Sequence, residues 1–153
     1  MIQIDEIDRK ILRILQVDAT LPIREIAERV GLSQAPCWRR INALRESGVI
    51  MKQVVVLDRS LLGLPFTVFV RLKLQKLTRE AFEEFEKSAM TLPELQELQM
   101  VTNENSYRMR IVVGSFEEYE RFLRDKLSRL PYVQDILTNF VISEPKYSFE
   151  LPI

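Results

Sequence analysis

The chain contains no histidine, one cysteine and only four glycines among its 153 residues. Each shortage excludes something. Without histidine the usual proton shuttle of neutral-pH catalysis is missing, and so is the commonest nitrogen ligand for a transition metal. One cysteine forms no internal disulfide and fits a reducing compartment. Gly31, Gly48, Gly63 and Gly114 lie far apart, so no glycine-rich loop is available to cradle a nucleotide phosphate. Paired carboxylates occur only as helix-surface runs, and those of Glu80, Glu83, Glu84, Glu86 and Glu117, Glu118, Glu120 read as solvated faces. The chain is therefore expected to be no enzyme, with no catalytic residue, metal or cofactor. No apolar run approaches the ~18 residues of a membrane span. The opening MIQIDEIDRK has acids where a secretory signal needs bases, so a cytoplasmic location without a membrane partner is expected.

Net charge is absent too: 22 basic side chains balance 22 acidic ones. The first sixty residues hold ten Lys/Arg and eight Asp/Glu, a net of +2, and the remainder is −2. Bulk charge thus makes no case for a polyanionic partner. A local patch does. From Ser33 to Arg45 there are three arginines (Arg39, Arg40, Arg45) and no acid, and phosphate contacts are made by patches rather than by averages.

That patch sits in AERVGLSQAPCWRRINALRESGVI, residues 27–50, which has the pattern of a helix-turn-helix. Ile23, Ile26, Ala27 and Val30 form one helix stripe, and Gly31 can supply the left-handed turn that ends it. Ser33 stands at the N-cap of a second helix, with Pro36 in its first turn, where a missing N–H costs little. Cys37, Ile41 and Leu44 form its inward stripe, while Ala35, Arg39 and Asn42 project outward. Such a helix suits reading in a major groove. Candidate DNA contacts are Ser33, Gln34, Ala35, Trp38, Arg39, Arg40, Asn42 and Arg45. The arginines suit phosphates or guanines, and Gln34 and Asn42 suit base edges. Taken alone the arginines also fit an ordinary solvated face. Trp38, on a flank, fits packing against the first helix as well as DNA. Cys37 reads as a small core residue rather than a reactive thiol.

Before this segment, Ile4, Ile7, Ile11, Ile14 and Leu15 predict a helix from about Asp5 to Val17, with acids in its first turn. Pro22 opens the next helix. After it, Ser47–Gly48 closes the basic helix, and Val49–Leu57, β-branched and apolar, predicts a strand. Gly63 and Pro65 mark a hinge over residues 58–65. Beyond it the pattern alternates. A strand covers residues 66–74, Thr78 caps a helix, and residues 95–102 form a strand. The turn Asn103–Ser106 leads into a strand from Tyr107 to Val113. Ser115 caps a helix with Phe116, Tyr119, Phe122, Leu123 and Leu127 inward, and residues 133–142 form the last strand. This β-α-β-β-α-β order is that of a ferredoxin-like sandwich. The fold class is α+β, with domains at 1–57 and 66–153 joined by the hinge. Glu97 and Gln99 give their strand a polar face, either at an interface between copies or in a cleft.

Three motifs carry a resemblance. They are Ile4-Asp5…Asp8…Ile11-Leu12; Gly31-Leu32-Ser33…Pro36-Cys37…Arg40-Ile41…Leu44…Gly48-Val49-Ile50; and Leu127…Leu130-Pro131. With the layout above, the chain resembles the Lrp/AsnC family, the leucine- and asparagine-responsive transcription regulators of prokaryotes, along nearly its whole length. The resemblance implies a winged helix-turn-helix domain that binds double-stranded DNA. It implies a ferredoxin-like domain that dimerises through its sheets, with dimers assembling further, often into octamers. It also implies a small effector, typically an amino acid, bound between dimers near the hairpin of the second and third strands. On this chain those positions are Met100, Thr102, Asn103, Glu104, Ser106 and Tyr107. Many members read G-x-x-D-Y where this chain reads Asn103-Glu104-Asn105-Ser106-Tyr107, so only the tyrosine matches. The missing aspartate points to a different ligand or to lost amino-acid sensing. Two functions follow: an effector-modulated, sequence-specific transcription regulator, or an effector-independent architectural protein that organises DNA. The hairpin residues on their own also fit a plain polar turn.

Overall fold

The computed structural model describes residues 3–102 and 106–153, which divide into two compact units. One unit comprises residues 1–56 together with 146–153, and the other residues 57–145.

The first unit is built on three helices: α1 (Glu6–Val17), α2 (Ile23–Val30) and α3 (Gln34–Glu46). Asp5 caps α1 in a reciprocal capping box: its carboxylate accepts from the Asp8 N–H at 2.8 Å, and the Asp8 carboxylate accepts from the Asp5 N–H at 3.2 Å. Gly31 follows α2 at φ 74°, the left-handed value that favours glycine, and so turns the chain into α3. Ser33 holds the N-cap position of α3, with extended backbone and no side-chain bond to the first turn. Ile11, Ile26, Ala27, Cys37, Ile41 and Leu44 form the buried core where the three helices meet.

The strand expected over Val49–Leu57 does not form. A strand requires a ladder partner, and among the described residues this segment has none. Residues 51–57 run without regular structure, and Met51, Val54, Val55, Val56 and Leu57 are all more than half exposed. Gln53 Nε2 donates to the Ala19 carbonyl at 3.1 Å.

The second unit has strands β1 (Phe66–Leu74), β2 (Leu95–Val101), β3 (Ser106–Val113) and β4 (Val133–Phe140), and helices α4 (Arg79–Ala89) and α5 (Phe116–Asp125). The sheet is antiparallel in the order β2-β3-β1-β4. Both helices lie in crossover connections and pack on one face, as the split β-α-β pattern requires. Val68, Val70 and Leu72 of β1 and Tyr107, Met109 and Ile111 of β3 carry that face, and Phe85 and Phe122 cover it. Thr78 and Ser115 cap the helices, each accepting from the N–H three residues on. Phe116, expected inward, is 59% exposed, although its ring still lies 5.3 Å from Phe140. At the first position of a helix the side chain clears the packed stripe that begins with Tyr119.

The tail is the other departure. Residues 146–153, expected in the second domain, group with the first unit. Gln16 of α1 clamps Leu151 as a strand neighbour would: its Oε1 accepts the Leu151 N–H at 2.6 Å, and its Nε2 donates to the Leu151 carbonyl at 3.3 Å. Arg13 Nε donates to the Ile153 carbonyl. A tail with little helical pattern gives no sequence signal for such long-range backbone bonding.

Candidate nucleic-acid interface

Helix α3 presents two faces that differ in chemistry. Cys37, Ile41 and Leu44 are at most 1% exposed and anchor it to the core. Burial pushes the Cys37 thiol above its ordinary value of 9.0, which leaves it a protonated core residue. The opposite face is open. Ser33, Gln34, Ala35, Trp38, Arg39 and Arg45 are exposed and Asn42 is partly exposed. Arg45 Nη1 lies 3.5 Å from Asn42 Oδ1, so two of the expected contact residues are neighbours one turn apart. Gln34, Ala35 and Trp38, with Ile23 from the start of α2, line a shallow open hollow of about 530 Å³. The structure thus brings together seven of the eight expected residues on one exposed side of one rigid helix. Trp38 is 54% exposed, the largest apolar side chain on this face.

Arg40 is the exception. Its guanidinium turns to the first helix, with Nη1 2.6 Å from Asp5 Oδ2 and 2.8 Å from Asp8 Oδ1. Asp8 is buried, at 8% exposure, so this is a latch between α1 and α3. The Asp8 N–H first and the Arg40 guanidinium next hold the Asp5 carboxyl below its ordinary 3.8. The signal was present in the D-x-x-D spacing of the first motif, but nothing local says which arginine closes the latch.

In the second unit, Met100 is 54% exposed and Thr102 is exposed. Ser106 and Tyr107 are buried at 2% and 1%. Tyr107 faces the helices, and its hydroxyl donates to Glu86 Oε1 of α4 at 2.6 Å. Burial first, then this carboxylate, pushes the phenol well above its ordinary value of 10.0. Asn103 and Glu104 lie outside the described residues. On the sheet face away from the helices, Arg110 lies 3.2 Å from Glu144 and 3.6 Å from Glu97, and Glu144 also meets Arg59 at 3.3 Å. Glu97 is thereby part of an ion-pair network that runs from the sheet to the 58–65 segment, which strand alternation could not reveal.

Comparison with known proteins gives these two regions their context. Residues 4–51 match the model described as "Winged helix-turn-helix DNA-binding" and residues 67–151 the "Lrp/AsnC ligand binding domain". The chain belongs to the Lrp/AsnC family of transcription regulators. This Lrp/AsnC protein is 33% identical over 150 residues to the DNA-binding transcriptional activator DecR of Escherichia coli K12, covering 98% of this chain and 99% of that one. It superposes with TM-score 0.92 on an AsnC-family transcriptional regulator from Agrobacterium tumefaciens, at 36% identity and covering 97% and 96% of the two chains. A Neisseria meningitidis transcriptional regulator solved as an L-Met complex superposes with TM-score 0.93 at 31% identity, covering 98% and 97%. The chain is a DNA-binding regulator with an effector-type domain. The α+β architecture of helix-turn-helix plus ferredoxin-like sandwich agrees with these structures.

Proposed function

We propose that this Lrp/AsnC regulator binds specific DNA sites through the open face of α3 and that a small effector, an amino acid or a close relative, tunes that binding. The observation that carries the reading is the acid-free face of Gln34, Ala35, Trp38, Arg39, Asn42 and Arg45, presented on a helix whose opposite side is locked into a core. Arg39 and Arg45 supply phosphate contacts, and Gln34 and Asn42 supply base-edge hydrogen bonds. Ser33 and the free N–H groups behind it suit a phosphate. Arg40 holds the helix in place instead of reaching DNA.

The working form is a homo-oligomer built from dimers, which places two recognition helices about one DNA turn apart. The exposed apolar run Val54–Leu57, continued by Leu61 and Leu62, supports association with another copy. An octamer is the assembly the family suggests. Residues 1–57 and 66–145, with residues 58–65 as hinge, describe the working units, and the tail 146–153 joins the first.

The effector site is centred on the β2–β3 end, with Met100, Thr102, Asn103 and Glu104 as its contacts and Ser106 and Tyr107 as buried support. A ligand seated there shifts DNA binding only if it prefers one assembly or domain arrangement over another. The L-Met found on the Neisseria relative makes amino acids the first class to test. A thermal-shift screen of the twenty amino acids does so: ligand at 100 times its dissociation constant adds about 2.7 kcal/mol, a shift of several degrees. A single hit supports sensing. No hit at millimolar concentration, with binding to selected DNA within about ten-fold of random DNA, supports the architectural reading instead. The departure of Asn103–Ser106 from the usual hairpin motif is the observation that favours that second reading.

A further inference from the structure

From the hollow beside α3 we infer that Trp38, with Ala35 and Ile23, reads thymine by packing against its 5-methyl group. The inference rests on the DNA-binding reading of α3 and deepens it.

Trp38 is the chain's single tryptophan, and it is 54% exposed. An indole is among the most rewarding side chains to bury, and a large exposed one calls for a partner. Its neighbours in the hollow are apolar apart from Gln34. The hollow therefore offers a methyl group an apolar surface to pack on, inside a face that is otherwise amide and guanidinium. Gln34 and Trp38 stand one turn apart at i and i+4, so a base edge met by the Gln34 amide lies next to whatever fills the hollow.

The occupant follows from the chemistry of the groove. Base edges in a major groove present hydrogen-bonding atoms at every pair and one apolar group only, the thymine methyl. Arg39 and Arg45 on the same helix, with no acid between Ser33 and Arg45, give the face the charge that holds a phosphate backbone in place. Phosphate contacts position the helix, and the hollow then separates thymine from cytosine, which lacks the methyl.

The test uses the full chain and duplexes enriched from a random library. Each thymine is replaced in turn by deoxyuridine, which removes only the methyl. At one or two positions per half-site the dissociation constant is expected to rise about four-fold, the transfer value of one buried methyl. Trp38→Ala is expected to weaken the thymine duplex and abolish that ratio, while Trp38→Phe keeps part of it. Because the side chain is about half exposed, Trp38→Phe should melt close to the wild type and Trp38→Ala somewhat lower, so the thymine/deoxyuridine ratio is read well below both melting temperatures. Trp38 emission reports the same event directly: it should shift to shorter wavelength on the thymine duplex and shift less on its deoxyuridine counterpart. A selected duplex with no methyl-sensitive position, or a Trp38→Ala protein with an unchanged thymine/deoxyuridine ratio, overturns the inference and leaves sequence-specific binding standing. Failure to enrich any duplex over random DNA overturns both.

Discussion

Arg40→Ala separates a structural arginine from a DNA-contacting one. In the folded chain the Arg40 guanidinium bridges Asp5 and Asp8 at 2.6 and 2.8 Å, and the Asp8 side chain is only 11% exposed. Removing the cation leaves a nearly buried carboxylate with the Asp5 N–H as its remaining partner. Exposed ion pairs contribute ~0.2–1 kcal/mol, and breaking a fully buried one costs ~3–5 kcal/mol; a pair with one partner buried and the other a third exposed falls between, at about 2 kcal/mol. For a unit of this size each kcal/mol moves the melting temperature by about 4–8 °C, so a fall of roughly 8–16 °C is expected. Amide hydrogen exchange in α1 and α3 should accelerate by about 30-fold, while the second unit is unaffected. The depressed Asp5 value gives the effect a pH signature. A carboxyl held below its unfolded value contributes stability that is full above about pH 4 and vanishes as pH falls through the folded value. The wild-type unit should therefore lose stability as pH falls below about 4, and Arg40→Ala should show a smaller loss there because part of it is already gone. DNA binding by the folded fraction should keep its salt dependence. An unchanged melting temperature with a salt slope shallower by about one would refute the latch and return Arg40 to the DNA face.

Three further outcomes are expected. Arg39→Ala and Arg45→Ala should each leave the melting temperature unchanged and reduce the slope of log K against log salt by about 0.9, measured by fluorescence anisotropy on one duplex. Cys37, fully buried with a raised thiol value, should react with a thiol reagent only at the rate of unfolding, so that native protein labels orders of magnitude more slowly than protein in denaturant. Tyr107→Phe should cost about 1–3 kcal/mol by stranding the Glu86 carboxylate; any effector found by the thermal-shift screen should bind this variant with unchanged affinity, since the hydroxyl faces the helices and not the hairpin.

The sequence by itself determined the local elements, because their causes are local. The acids in the first turn of α1, Gly31 in its left-handed turn, Ser33 before α3 and the two-residue alternation of β1 each act within a few positions. The inward stripe of Cys37, Ile41 and Leu44 was equally legible, and with it the outward face. Only tertiary structure decided how side chains at helix flanks were used. Arg39 and Arg40 are adjacent in sequence and alike in chemistry, yet a 100° rotation along α3 sends one to solvent and the other to the acids of α1. The same holds for Tyr107, whose alternation in β3 marks a buried face but cannot name Glu86, 21 residues away, as its partner. The tail bonding to Gln16 and the ladder missing from residues 49–57 are of that kind too. Strand-like backbone is completed by whatever edge lies beside it in space, and no local pattern encodes which edge that is.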